Sequence, residues 1–384
     1  MELVELGTIL HMEKGKKPQQ QVTVAQEGFL PYVDIKAFEQ GIIDNYASTD
    51  KSLLCEDGDL LIVCDGSRSG LTGRAIKGVV GSTLSKIYAD GILTEYLRYF
   101  IQSKYTLLNT KKKGTGTPHL NADILKKSKL VVPSYEEQKK IVSRIEELFS
   151  QIDDGIATLR KIQSQVKLYK QSIYSEAFSG KWTMKTAEEL CEFITKGTTP
   201  PKSLNNENPT VPFIKVYNMT FDGALDFSID PTFVSEEINK GFLARSILYP
   251  GDVLMNIVGP PIGKVSIVPE TYSEWNMNQA IARFRCKDGI YNRYLAHFLM
   301  WGETVNKLNK LGKATAGQYN LTLEICRKIL IPVPSFDEQK DIVKNLEEKL
   351  TVCMNIEDAV NKAFVQAEAM RQSILKKAFE GGLV

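Results

Sequence analysis

PSYEEQKKIV (133–142) and PSFDEQKDIV (334–343) are one decapeptide written twice, 201 residues apart. The same offset relates QSIYSEAFSG (171–180) to QSILKKAFEG (372–381), so the stretch between the two markers has one length in both copies. Loops tolerate insertions, and a length kept without a gap implies a single rigid element. Apolar residues fall at Ile141, Ile145, Leu148, Ile152, Ile156, Leu159, Ile162, Val166, Tyr169, Ile173 and Ala177 in the first copy. In the second they fall at Ile342, Leu346, Leu350, Cys353, Ile356, Val360, Ala363, Ala367, Met370, Ile374 and Ala378. Their mean step is about 3.6 residues, the helical period. Acidic pairs (Glu136-Glu137, Asp337-Glu338) follow Pro-Ser at each start, where the helix dipole favours negative charge, and Gly180 and Gly381 stand where a C-terminal cap would fall. Helices within 133–180 and 334–384 are therefore predicted, about 43 residues of each making a rod of roughly 65 Å.

A rod with one apolar stripe cannot bury it alone. The expectation is an antiparallel pair, a coiled coil. Ile145, Ile152, Leu159, Val166 and Ile173 would pack against Leu346, Cys353, Val360, Ala367 and Ile374. The plainer alternative is that each rod packs only on its own neighbouring domain.

Two globular segments remain, 1–132 and 181–333, and they match loosely. KGKKP (14–18) parallels KGTTP (196–200), LPYVDI (30–35) parallels VPFIKV (211–216), EDGDLLIV (56–63) parallels YPGDVLMN (249–256), and EYLRYF (95–100) parallels RYLAHF (293–298). The offset grows by 19 residues between the KG marker and Gly116/Gly317, so the second segment carries insertions. Strand-like runs, Gly-rich turns and one amphipathic helix near each end predict a mixed α/β fold in both. The order is domain, rod, domain, rod, a pseudo-twofold internal repeat.

Composition narrows the class. A chain of 384 residues with 43% hydrophobic content suits two or three globular domains. Its net charge of +2 neither demands nor excludes a nucleic acid, since the distribution of basic residues decides. No run of 18 apolar residues exists, and MELVELGTILHMEKG lacks the pattern of a signal peptide, so a cytoplasmic protein without membrane contact is expected. Cys55, Cys64, Cys191, Cys286, Cys326 and Cys353 are scattered without C-x-x-C spacing and read as reduced, mostly buried thiols rather than a metal site.

Catalytic parts are missing. GPPIGKV (259–265) has neither the spacing nor the hydroxyl of a phosphate-binding loop and reads as a turn between strands. No adenine-methyltransferase signature or Gly-rich cofactor loop is present. His11, His119 and His297 have no metal-ligand spacing, and His297 reads as a packed or surface residue. Neither a catalytic residue nor a cofactor is expected.

The two Pro-Ser-aromatic-acid-Glu-Gln-Lys boxes, each opening a long helix after a lysine-bearing strand (KKSKLVV, RKILIPV), resemble those of the specificity subunits of Type I restriction-modification systems. The resemblance covers essentially the whole chain. It implies that each globular segment is a target-recognition domain for double-stranded DNA and that the helices form an antiparallel coiled coil. It also implies that catalysis belongs to partners. Methyltransferase (modification) subunits, two by the repeat, would supply methyl transfer, and restriction subunits the ATP-driven translocation and cutting. Independently, two related but unequal domains held apart by a rigid element suit two different DNA half-sites at fixed separation. A coiled-coil scaffold with degenerate DNA-binding domains is the alternative.

Recognition needs phosphate anchors and side chains that reach base edges. In the first domain the candidates are Lys14, Lys16 and Lys17, then Ser67, Arg68 and Arg74 in GSRSGLTGR, and Lys111, Lys112, Lys113 and Thr115 in KKKGTGTPH. In the second they are Lys196, Thr198 and Lys202, then Asn276, Asn278 and Gln279, and Lys313, Gln318 and Asn320. Arginine suits guanine, and the amides suit adenine.

Overall fold

A computed structural model describes residues 2–114, 118–201, 203–204, 206–259, 261–315 and 318–380; at residues 2, 313–315 and 318–319 it describes the backbone. The chain forms two compact units, 1–161 with 360–384, and 162–359. Each therefore takes in one globular segment and a part of each long helix.

In the first unit, antiparallel strands Leu10–Lys14, Leu84–Ala89, Leu60–Val63 and Thr72–Arg74 lie side by side in that order. A second sheet pairs Phe29–Val33 in parallel with Gly78–Val80. The strand Leu60–Val63 explains its own unbroken apolar sequence. Leu60 and Ile62 enter the core under the helix Thr94–Ser103, whereas Leu61 and Val63, with Leu84 of the neighbouring strand, enter a core with Val33 and Val80 of the second sheet. Both faces are covered, so alternation is not required.

The second unit repeats the plan with Cys191–Lys196, Ile281–Cys286, Val253–Asn256 and Val265–Ile267. Its parallel pair is Val211–Ile214 with Asn276–Met277. Each globular segment is also closed by a two-stranded ribbon, Glu2–Glu5 with Lys129–Val132 in one and Thr183–Thr186 with Leu330–Val333 in the other.

The long helices span Tyr135–Phe178 and Phe336–Phe379, 44 residues each. Ser134 and Glu137 cap the first reciprocally, and Ser335 and Glu338 the second. In the second unit Val166, Ile173, Leu346 and Cys353 share one apolar cluster, and ion pairs join Lys170 to Glu357 and Glu176 to Lys349. Partners descend along one helix as they ascend along the other, so the segments run in opposite directions there. In the first unit Arg371 pairs with Asp153.

The expected stripe needs correction in three places. Tyr169, Ile356 and Met370 are exposed, Met370 along an open apolar groove. Leu375, one residue beyond Ile374, is the side chain that is fully buried, in the first unit's core with Ile145, Phe149 and Ala378. Val343 takes the corresponding place beside Ile342 in the second unit's core. Ile152 and Val360 are buried, while Leu159, Ala367 and Ile374 are half-buried; Ile152, Leu159, Ala367 and Ile374 line an open apolar groove of about 520 Å³ in the first unit, floored in part by Gly155 and Ala363. Each globular core thus receives the start of one long helix and the end of the other, which the plainer alternative did not foresee.

All six cysteines are free thiols, five buried and Cys286 half-buried. Among the described residues no helix is long and apolar enough to cross a membrane, and no cluster of three His, Cys, Asp or Glu is arranged to hold a metal ion.

Candidate nucleic-acid interface

Strand register gathers most of the candidates at one end of each four-stranded sheet. In the first unit Lys14 lies opposite Ser85, Leu84 opposite Val63, and Ile62 opposite Thr72, which places the exits at Lys14 and Val63 on one end. In the second unit Lys196 lies opposite Ala282 and Asn256 opposite Ile281, the same end again.

Glycines let the backbone turn there. A Cβ on Gly15 would collide with the carbonyl oxygens of Val80 and Gly81, and one on Gly197 with those of Met277 and Asn278. Both glycine amides donate across the sheet, Gly15 to the Leu84 carbonyl at 3.0 Å and Gly197 to the Ile281 carbonyl at 3.1 Å. That shared close approach is why KG occurs in both copies.

A hairpin docks on the next exit in both units. Asp65 bridges His119, which bridges Lys113; Val258 pairs Asn320, which pairs Lys313. The Leu120 amide donates to the Cys64 carbonyl at 2.7 Å, and the Leu321 amide to the Ile257 carbonyl at 2.9 Å. Around this common ladder the loops differ. In the first unit the 66–70 loop is stitched to the hairpin: the Gly66 amide donates to the Pro118 carbonyl, and Asn109 Nδ2 and Lys112 Nζ donate to the Ser67 carbonyl. In the second unit the Asn256 side chain organises the turn that follows, donating to the Val258 and Pro261 carbonyls and accepting from the Gly263 and Lys264 amides.

Lys16, Lys17, Lys111 and Lys196 are exposed, and among the described residues no ion pair engages them, which suits phosphate anchors. Ser67 is exposed, and its carbonyl accepts from Lys112 Nζ. Lys14 pairs with Asp65 at 2.8 Å and Lys113 with Asp123 at 2.6 Å. Arg68 is exposed but ion-paired with Glu39, so a guanine would have to displace that carboxylate. Thr198 and Asn278 are half-buried, and Gln279 is exposed and accepts a hydrogen bond from Thr199. Asn320 is half-buried on the hairpin, and Lys313 and Gln318 belong to its strands by backbone. Thr115 and Lys202 lie outside the described residues.

Two candidates are corrected. Asn276 is fully buried, and its amide is spent internally: Nδ2 donates to Asn239 Oδ1 at 2.7 Å and to the Leu243 carbonyl, while Oδ1 accepts from the Met277 amide. It joins the parallel strand pair to the segment 239–243 and is not free to meet a base. Arg74 lies opposite Leu60, at the far end of its sheet, and its guanidinium pairs with Glu95 at 2.7 Å and Glu146 at 3.9 Å. Its work is to tie the sheet to the helices.

A further residue pair, not evident from spacing or residue type, does structural work. Gln138 and Gln339, from the two boxes, are each about 1% exposed. Gln138 Oε1 accepts from the Leu93 amide at 2.7 Å while Nε2 donates to the Gly91 and Pro133 carbonyls. Gln339 does the same with the Tyr291 amide and the Gly289 and Pro334 carbonyls. Leu93 and Tyr291 are the N-cap residues of Thr94–Ser103 and Asn292–Met300, so one amide locks each long helix to the helix of its sheet. Identity of the glutamine in both copies was the signal available.

Comparison with known proteins places the whole arrangement. The sequence profile described as the Type I restriction modification DNA specificity domain matches residues 1–167 and 179–363. The Type I restriction enzyme MjaVIII specificity subunit of Methanocaldococcus jannaschii is 27% identical over 99% of this chain and 92% of its own length. The EcoBI specificity subunit of Escherichia coli is 24% identical over 85% of this chain and 73% of its own. Among solved structures, a chain from work on complex assembly and conformational transition of the type I R-M system covers all of this chain and 98% of its own length with a TM-score of 0.79 at 20% identity. The HsdS subunit from Thermoanaerobacter tengcongensis covers all of this chain and 97% of its own length with a TM-score of 0.58 at 20% identity. With a profile match over most of its length and a matching fold, the chain belongs to the DNA specificity subunits of Type I restriction-modification systems, the non-catalytic members of those complexes.

Proposed function

We propose that each globular segment reads one half of a bipartite, asymmetric DNA site. The two long helices, packed as an antiparallel coiled coil, set the spacing and dock the modification subunits. One observation carries the reading: the same hairpin-and-exit framework recurs in both units, but its side chains differ, with His119 opposite Asp65 in the first and Asn320 opposite Val258 in the second. A common frame with unequal side chains is what two readers of different sequences require. The pseudo-twofold repeat would offer equivalent surfaces to two modification subunits, and the open apolar groove beside Gly155 suits such a contact. Restriction subunits would join this assembly in the cytoplasm.

The test is methylome sequencing of cells that express the chain with its cognate modification subunit. A split motif with a fixed spacer is expected, each half of about 3–5 base pairs. A shortened chain lacking 156–162 and 357–363, matched heptads, should keep both half-sites and draw them together by about 10 Å, or about three base pairs. A continuous or palindromic motif would defeat the bipartite reading. A folded, shortened chain that still uses the original spacing would defeat the helices as ruler.

A further inference from the structure

The hairpin of the first unit carries a histidine where the second has Asn320. Opposite Asn320 stands the aliphatic Val258; opposite His119 stands Asp65. Asp65 Oδ1 lies 2.7 Å from His119 Nδ1, and its other oxygen accepts from Lys14 Nζ at 2.8 Å. Burial opposes ionisation of Asp65, but the hydrogen bonds from Lys14 and His119 outweigh it and hold the carboxyl below the usual carboxylate range. An ionised carboxylate can only accept, so Nδ1 carries the hydrogen. In the neutral imidazole Nε2 is then left with its lone pair. The His119 side chain is 53% exposed, and among the described residues no hydrogen bond engages Nε2.

We propose that His119 is a specificity-determining residue of the first half-site, its Nε2 accepting a hydrogen bond from the exocyclic amine of an adenine or a cytosine. In the major groove those amines are the donors on offer, whereas guanine and the oxygen of thymine present acceptors. Asp65 is the positioning residue: it fixes the ring and decides which nitrogen bears the hydrogen. Lys14, held by the same carboxylate, balances its charge, and Lys113, paired with Asp123, lies opposite His119 on the hairpin. Val258 offers the second unit no such control, and an amide at Asn320 needs none, because it presents donor and acceptor together.

The proposal rests on the reading that the first segment faces DNA. Its test uses the full chain assembled with its cognate modification subunit, methylating a library randomised in both half-sites. The wild-type assembly should demand adenine or cytosine at one position of the first half-site. His119→Leu should lower discrimination there by about three- to tenfold, the worth of one net hydrogen bond, and leave the second half-site unchanged. Asp65→Asn can donate to Nδ1 and let Nε2 carry the hydrogen, which should turn the preference at that position toward guanine or thymine. A motif unchanged in both variants overturns the role of His119, as does a folded variant that loses all methylation, which would mark a framework residue. A wild-type assembly with no defined first half-site would instead overturn the reading beneath it.

Discussion

Gly15 and Gly197 leave their strands under equivalent backbone bonds, and the hairpins beyond them dock through equivalent amides, Leu120 and Leu321. Yet the side chains mounted on this frame are unalike. The first unit carries lysines, a Glu39-bound arginine and an Asp65-held histidine. The second carries Gln279 and Asn320 and a turn organised by Asn256. The frame is held by backbone hydrogen bonds and glycine clearances, which do not depend on the residues at the tips. Readers can therefore change without cost to the fold, and the same contrast explains why matching the copies identifies scaffold better than it identifies contacts.

The strongest way to break this comparison is to exchange residues 1–132 for the first domain of another family member. The first half-site should be replaced outright. Discrimination against the old site should reach about a thousandfold or more, since each mismatched base pair costs about 1–3 kcal/mol. The second half-site should stay as it was; methylome sequencing reads both, and a change in both halves would mean the units do not read independently.

A smaller effect sharpens the scaffold side. Gln138→Ala and Gln339→Ala each strand one buried amide and two carbonyls, a loss of about 2–3 kcal/mol. Hydrogen exchange should show the loosening in the helix Thr94–Ser103 for the first variant and in Asn292–Met300 for the second. Equal loosening of both helices by either variant would deny that each glutamine serves its own unit.

The smallest expected effect lies where the copies diverge inside the scaffold. His297, 8% exposed, stands where the first unit has Tyr99; it meets Glu347 at 3.0 Å and the Tyr174 hydroxyl at 3.3 Å, with Arg293 on the same carboxylate. Burial lowers its pKa from the ordinary 6.5, with Glu347 opposing. A histidine whose folded pKa is depressed stabilises fully above the unfolded value, and the contribution is lost as pH falls through the folded one. Hydrogen exchange around Asn292–Met300 should thus quicken in acid relative to Thr94–Ser103, and His297→Phe should flatten that difference. Persistence of the same acid sensitivity in the variant would place its origin elsewhere.

The helices were legible because period and length are one-dimensional facts: the expected element near 43 residues is found at 44 in both copies. The two-sided burial of Leu60–Val63 was legible as an apolar run. What the sequence hid was pairing at a distance. Asn276 has the chemistry of an adenine reader, and only the approach of Asn239 and Leu243 shows that its amide is already committed. Arg74 shares a loop-like string with Arg68, but strand register puts it at the other end of the sheet. Asp65 and His119, 54 residues apart, become a unit only through the docked hairpin.

The first unit's core is completed by Leu375 and Ala378, with Phe379 set edge-on against Tyr96 and Phe100. The second unit draws its core from residues within 162–359. On the ribosome, then, order of birth and order of completion are reversed. The segment that emerges earlier keeps apolar surface open until residues 375–379 arrive, while the later segment can close beforehand. Such a delay lengthens exposure to aggregation, the usual hazard of contacts far apart in sequence. It also makes a product that stops short of residue 375 recognisable, since it would be missing part of the core of the unit that was made earlier.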